Sequence, residues 1–273
     1  MAPTLGVFGS PYDLWNKDLA LDDLGTTAVW VGHTTIDGEL VRRCHDEGAR
    51  IFAEVGIMWG VSRADYADHP DVQPVGADDE PLNIVANYVA YACPLSSWWR
   101  HKRPVQTEDL MGAYELDGVW RDFMRYPARW EQPQPTLDQS CFCSRCLAPF
   151  EECTHIAVPN HATAERSAWI LDQALDEWAE WKCSVIADFV SQASELVRRV
   201  RREAVLGMFS MPWQPQDFDN AIQRVIAQDF ARLAQHLDAF SPMLYHTMYG
   251  RNVDWIGEYI KYLSQSTGRP VVP

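Results

Sequence analysis

The sequence predicts an α/β protein, a (β/α)8-type TIM barrel that runs out at or near its seventh strand. Two observations carry this expectation. Short β-branched or aromatic runs alternate with helical stretches along the whole chain, and sustained strand–helix alternation means parallel strands with helical crossovers. The chain is also the right size: 273 residues, 47% of them hydrophobic, suit one large core, and barrels of this kind use about 250 residues as a single domain. The expected organisation is therefore one barrel domain over 1–273, interrupted by long insertions at about 62–117 and 127–167.

The strand candidates, in order, are 5–9, 27–32, 50–59, 118–126, 205–213, 239–246 and 270–273. Each is of strand length, rich in Val, Ile, Phe, Trp or Tyr, and bounded by Gly, Pro or Asp. Between the second and third, Leu40, Val41 and Cys44 mark a helix that Gly48 closes. The longest helix spans about 167–202. Trp178, Trp181, Val185, Phe189, Ala193, Leu196 and Val200 recur there at three- and four-residue spacing, with Glu, Lys, Asp and Arg on the other face. Another runs over about 254–265 and ends at Gly268. A doubly wound sheet is the alternative, disfavoured because no Gly-rich phosphate turn follows any strand. The count is seven where a barrel uses eight. The eighth strand comes from elsewhere, the barrel is incomplete, or the chain is a piece of a longer one; the sequence does not choose.

Composition narrows the partners. A net charge of −15 argues against nucleic acid, whose phosphates need an excess of Lys and Arg, and against polyanionic substrates. No uncharged apolar run is long enough to cross a membrane. The opening residues read as a strand rather than a signal peptide, and seven Cys, an odd number, fits a reducing cytoplasm better than a disulfide framework. Twelve Trp fit core packing, and they also fit a groove in which rings stack on sugar faces. The exposed sheet edges of an incomplete barrel leave room for a homo-oligomer.

The insertions fall on the strand-to-helix face, where barrel enzymes keep their chemistry. The most informative stretch is Asp117-Gly-Val-Trp-Arg-Asp-Phe-Met-Arg-Tyr-Pro127. Strand alternation puts Trp120, Asp122 and Met124 on one face. An acid near the carboxyl end of a parallel strand is costly to bury without a task or a partner, and Asp122 suits a nucleophile or a proton-transfer group. Arg125 and Tyr126 follow, placed to hold it ionised and to position substrate. A purely structural Asp–Arg pair is the competing reading.

This spacing resembles strand four of α-amylase-clan barrels, in which the second Asp is the nucleophile; Asp122 matches it. The departure is Trp120 where that clan has Arg. The fuller set, adding Ser140-Cys-Phe-Cys-Ser-Arg-Cys-Leu147 and Ser241-Pro-Met-Leu-Tyr-His246, is similar to uncharacterised glycoside-hydrolase-like barrels over most of the chain. The resemblance implies a barrel acting on glycosidic bonds.

Two-carboxylate hydrolysis needs a second acid. Glu54, in Ile51-Phe-Ala-Glu-Val-Gly-Ile-Met-Trp-Gly60, lies on the strand before that of Asp122, in apolar surroundings that would raise its pKa and suit a general acid. A core Glu with an Arg or Tyr partner is the plainer alternative. Asp217, Asp219 and Glu131 are rivals, and the strand 205–213 carries no amylase-like Glu. Trp59, Trp213, Tyr245 and His246 stand at strand ends, as stacking platforms and hydrogen-bonding groups for a sugar.

Cys141, Cys143, Cys146 and Cys153, with His155 just beyond, put four soft ligands in one short stretch. That matches a closed structural zinc site, or else a set of thiols tying down a long loop. The cluster resembles the zinc-binding cysteines of family 42 β-galactosidases. With all four positions filled, it would staple the loop rather than catalyse. No nucleophile elbow, P-loop or H-x-H strand end is present, so no organic cofactor is expected. The combined expectation is a hydrolase acting on neutral oligo- or polysaccharide, with a non-catalytic carbohydrate-binding or partner-binding barrel as the alternative.

Overall fold

The computed structural model describes residues 5–82, 90–128 and 135–273. In chain order the strands are β1 (Gly6–Phe8), β2 (Ala28–Gly32), β3 (Arg50–Gly56), β4 (Trp59–Val61), β5 (Ala90–Tyr91), β6 (Gly118–Asp122), β7 (Val205–Ser210) and β8 (Ala239–Pro242). The helices are α1 (Tyr12–Trp15), α2 (Gly38–Asp46), α3 (Arg63–Asp68), α4 (Ser97–Ala113), α5 (Ser144–Thr154), α6 (Thr163–Gln173), α7 (Leu175–Val200), α8 (Ala221–Arg224), α9 (Phe230–Leu233) and α10 (Asp254–Thr267).

Six strands form one parallel sheet in the order β1-β2-β3-β6-β7-β8, and β4 and β5 make a separate antiparallel pair. The six follow one another without the reversal of order that defines a doubly wound sheet. Beyond β8, a parallel bridge joins Phe240 to Val271, where the expected seventh strand begins. The sheet is strongly curled. The rings of Phe8 on β1 and Phe209 on β7 meet edge to face at 5.6 Å, although four strand spacings of about 4.8 Å separate those strands along the sheet. The result is an open half-barrel.

Alternation along each strand divides the side chains between two cores. Val29, Val31, Ile51, Ala53, Val55, Val119, Leu206, Met208 and Phe240 face outward into the main core. The helices cover that face, above all α7, which buries Trp178, Trp181, Ile186, Phe189 and Val190, each contributing about 1.5–3 kcal/mol. Ala28, Trp30, Phe52, Trp120 and Ala239 face inward. There the large rings fill the interior at the expense of their neighbours. Trp120 lies over Gly207 of the adjacent strand so closely that any side chain at 207 would overlap the indole, while its Nε1–H donates to Ser241 Oγ at 3.0 Å.

The strands match their expected positions but stop earlier at the carboxyl end. β3 ends at Gly56, and Trp59 begins β4 instead of completing β3. β6 ends at Asp122, because Phe123 turns into the left-handed region with φ 51°. The expected helix over 167–202 is two helices, α6 and α7, broken at Ala174 (φ −144°, ψ 30°). The long insertions are also structured. The first contains α4, hidden from sequence reading by Pro104 inside it and by its weak apolar stripe; the second contains α5. No described helix is long and apolar enough to cross a membrane.

Candidate active site

Register decides which side chains share the mouth of the half-barrel. Glu54 pairs with Trp120 and Gly56 with Asp122 across β3 and β6. Glu54 and Asp122 therefore sit on the same inward face of neighbouring strands, offset by two residues, with Trp120 as the floor. On the other side of Glu54 stands Gly32 of β2. A methyl group there would make ordinary van der Waals contact with Glu54 Oε2 at 3.5 Å.

Both acids are pushed toward the protonated form. Burial first, and then the negative charge of Asp122, raise Glu54 to about 7, against a smaller opposing effect of Arg103. Burial raises Asp122 to about 6. The Phe123 N–H, which donates to Asp122 Oδ1 at 2.7 Å, and the charge of Arg125 restrain that rise. The two rises are similar, so Glu54 remains the weaker acid and Asp122 the stronger, as their ordinary values already order them.

Other groups surround the pair. Burial first, and then the charges of Arg103 and Arg121, hold the pKa of His33, just past β2, low against an opposing effect of the Glu54 main chain. Trp59 lies above Gly56, where an added methyl would come within 2.6 Å of the indole, and stacks on Phe123 at 5.0 Å and 7°. Tyr245, after β8, is more than half exposed; burial of its hydroxyl and the charge of Asp122 raise its pKa. His246 is half-buried beside it, with Nε2 3.3 Å from Thr247 Oγ1.

The remaining sequence candidates lie away from the mouth. Arg125 is only 2% exposed, and its Nη1 donates to the carbonyls of Tyr126 (3.2 Å) and Ala128 (3.5 Å). It acts on Asp122 by charge and does not reach substrate. Tyr126 is wholly buried, and the cysteines around its hydroxyl, after burial itself, raise its pKa. Trp213 is 2% exposed and packs edge to face against Phe218 at 5.4 Å. These three side chains are corrected to core positions, because the strands end before the chain reaches them. Asp217 pairs with Arg251 and Asp219 with Arg224, which are structural roles. Glu131 lies outside the described residues.

The cysteine cluster also takes a corrected membership. Cys93, Cys141, Cys143 and Cys146 bring their sulfurs within 4.8 Å of one another, and all four are buried. Cys153 is exposed at the end of α5, while Cys93 comes from the other insertion. Sequence spacing hid Cys93, which stands 48 residues before Cys141 (141 − 93). The chemistry of the set fits zinc. The Sγ–Sγ separations of Cys93–Cys143 (3.7 Å), Cys93–Cys146 (3.6 Å) and Cys143–Cys146 (3.6 Å) match the edge, about 3.8 Å, of a tetrahedron with zinc–sulfur bonds of about 2.3 Å. The thiols already share protons. Cys143 Sγ–H donates to Cys146 Sγ, with Cys93 Sγ within reach of both, and the neighbouring sulfurs of Cys141, Cys146 and Cys93 hold the Cys143 pKa low. Tyr126 Oη is buried near these sulfurs and has no hydrogen-bond partner among the described residues.

No family model matches the chain, and no curated protein matches it in sequence. Solved structures do. A polyextremophilic β-galactosidase from the haloarchaeon Halorubrum lacusprofundi superposes with a TM-score of 0.70 at 13% identity, covering 99% of this chain and 46% of that one. The glycoside hydrolase domain of PgaB (BpsB) from Bordetella bronchiseptica gives 0.71 at 13% identity, covering 97% and 82%. The β-galactosidase of Rahnella sp. R3 gives 0.65 at 14%, covering 97% and 43%. The chain thus spans less than half the length of these β-galactosidases. Its fold is that of the glycoside-hydrolase TIM barrels.

Proposed function

We propose that the protein hydrolyses a glycosidic bond in a neutral oligo- or polysaccharide, with Glu54 as general acid and Asp122 as its carboxylate partner. One observation carries this reading: two acids stand on the same inward face of adjacent strands at the barrel mouth, where burial raises both toward neutral pH. In the reaction the protonated Glu54 gives its proton to the departing glycosidic oxygen as the bond to the anomeric carbon breaks. The ionised Asp122 attacks that carbon or takes a proton from attacking water. Carboxyl groups about 5–5.5 Å apart in the working complex go with retention and a covalent Asp122 intermediate, and about 6.5–9.5 Å with inversion.

Trp59 offers a ring face, and Tyr245 and His246 offer hydrogen bonds to sugar hydroxyls. Arg125 keeps Asp122 ionised from behind. Zinc at Cys93, Cys141, Cys143 and Cys146 would tie together the two insertions that frame the mouth and take no part in bond cleavage, since four thiolates leave no open position.

The test is reducing-sugar release from a panel of neutral poly- and oligosaccharides, wild type beside Asp122→Asn. Release by wild type alone supports the reading and identifies the substrate class. Silence from both, with glycan binding retained, replaces it with a non-catalytic carbohydrate-binding barrel.

A further inference from the structure

Glu54 has a cationic neighbour from an unexpected element. Arg103 lies on α4, within the first insertion, yet its guanidinium reaches the turn after β3. Nη2 donates to the carbonyl of Trp59 and Nη1 to Gln106 Oε1 at 3.1 Å. Below it lies Trp99, with the guanidinium carbon 4.3 Å from the ring centroid, and Trp99 Nε1 in turn donates to the carbonyl of Ile57 at 2.6 Å. Two residues of α4 therefore hold the main chain of the β3–β4 turn at 57 and 59. The path exists because of Gly60. A methyl group there would stand 2.7 Å from Arg103 Nη2, and φ is +86°, a conformation L side chains rarely adopt.

Arg103 is only 5% exposed, and its Nε–H has no partner among the described residues. A buried cation so incompletely paired is costly, and the nearby carboxylates are few. Asp65 and Glu54 are the negative charges that act on it, and Asp65 is already bonded to Lys102 at 2.8 Å. The charged and titratable groups around Glu54 are thus Asp122 from β6, Arg103 from α4 and His33 after β2, with Arg121 of β6 acting on His33 and itself acted on by Arg103.

We propose that Arg103 is a positioning residue for Glu54: it clamps the turn that lays Trp59 over Gly56, one inward position beyond Glu54, and its buried charge acts on the Glu54 carboxyl from beyond ion-pair distance. Such an arrangement keeps the acid from being too weak to release its proton, and it couples the stacking ring to the proton donor through one side chain. The inference rests on the reading of Glu54 as the donor, but its test does not need turnover.

The experiment is carbon-13 NMR of protein labelled at glutamate carboxyl carbons, with the Glu54 signal assigned by its loss in Glu54→Gln. Wild type should titrate at Glu54 near about 7. In Arg103→Met the midpoint should move up by on the order of one pH unit, and Arg103→Lys, which restores the charge, should bring it most of the way back. An unchanged Glu54 midpoint in folded Arg103→Met overturns the proposal. If that variant does not fold, Gly60→Ala displaces the guanidinium with its charge intact; the same upward movement is expected, and no movement overturns the proposal. Where a substrate is found, the alkaline limb of kcat/KM should follow the NMR midpoint. A protein that hydrolyses nothing yet shows the shift sinks the hydrolase reading and leaves the Arg103–Glu54 linkage standing.

Discussion

Glu54 and Asp122 face the same side of two hydrogen-bonded parallel strands, with Asp122 level with Gly56 and so one inward position nearer the mouth than Glu54. The two carboxyls are stepped, which gives Asp122 the Phe123 N–H and the field of Arg125 and leaves Glu54 lower, over Gly32.

Removing either acid should abolish cleavage without unfolding the chain. Asp122→Asn and Glu54→Gln are each expected to lower kcat by about 10²–10⁴-fold or more, with circular dichroism unchanged. Wild-type rates in Asp122→Asn would end the assignment.

Activity should follow a narrow bell in pH. Asp122 must be ionised, which requires pH above about 6, and Glu54 must be protonated, which requires pH below about 7. As the groups interact, the limbs belong to the pair. A rate flat from pH 5 to 9 would contradict the assignment; kcat/KM across that range decides.

The same acids should weaken the fold as pH rises. Both have folded-state values above their ordinary ones, so each favours the native state most when protonated, below its unfolded pKa. That contribution is lost between about 4 and about 7, as pH climbs through the folded value. Thermal melting should therefore show the double variant Glu54→Gln/Asp122→Asn gaining on wild type from pH 4 to pH 8, by a few kcal/mol at most. A double variant that does not gain on wild type over that range would show that the two carboxyls are not held in the environment described.

Metal content separates the two sets of cysteines. One zinc per chain is expected by elemental analysis, lost in Cys93→Ser and retained in Cys153→Ser, because Cys93 belongs to the buried set and Cys153 does not. Cys93→Ser should also lower the melting temperature, since metal binding is folding free energy. Equal metal in both variants would disprove this membership.

Much of this could be read directly. Strand positions followed from β-branched runs, and Glu54 and Asp122 from acids near strand ends. Strand lengths did not, because apolar residues continue past the last ladder bond. Tyr126 and Trp213 looked like mouth residues for that reason, and both are core. Arg103, His33 and Cys93 gave no local signal, for their roles depend on contacts between elements far apart in the chain: Arg103 reaches Trp59 across 44 residues, and Cys93 meets Cys146 across 53.

The pairing of Cys93 with the cysteines at 141–146 also bears on how the molecule assembles. The stretch it closes contains α4 and β6, so the circuit closed through a bound metal would include the strand that carries Asp122. Closing so long a loop is entropically demanding before the sheet exists, and the site should therefore form late, once β6 has docked beside β3. A metal seated there would act as a latch set after the sheet has formed, slowing the release of β6 more than it speeds its arrival.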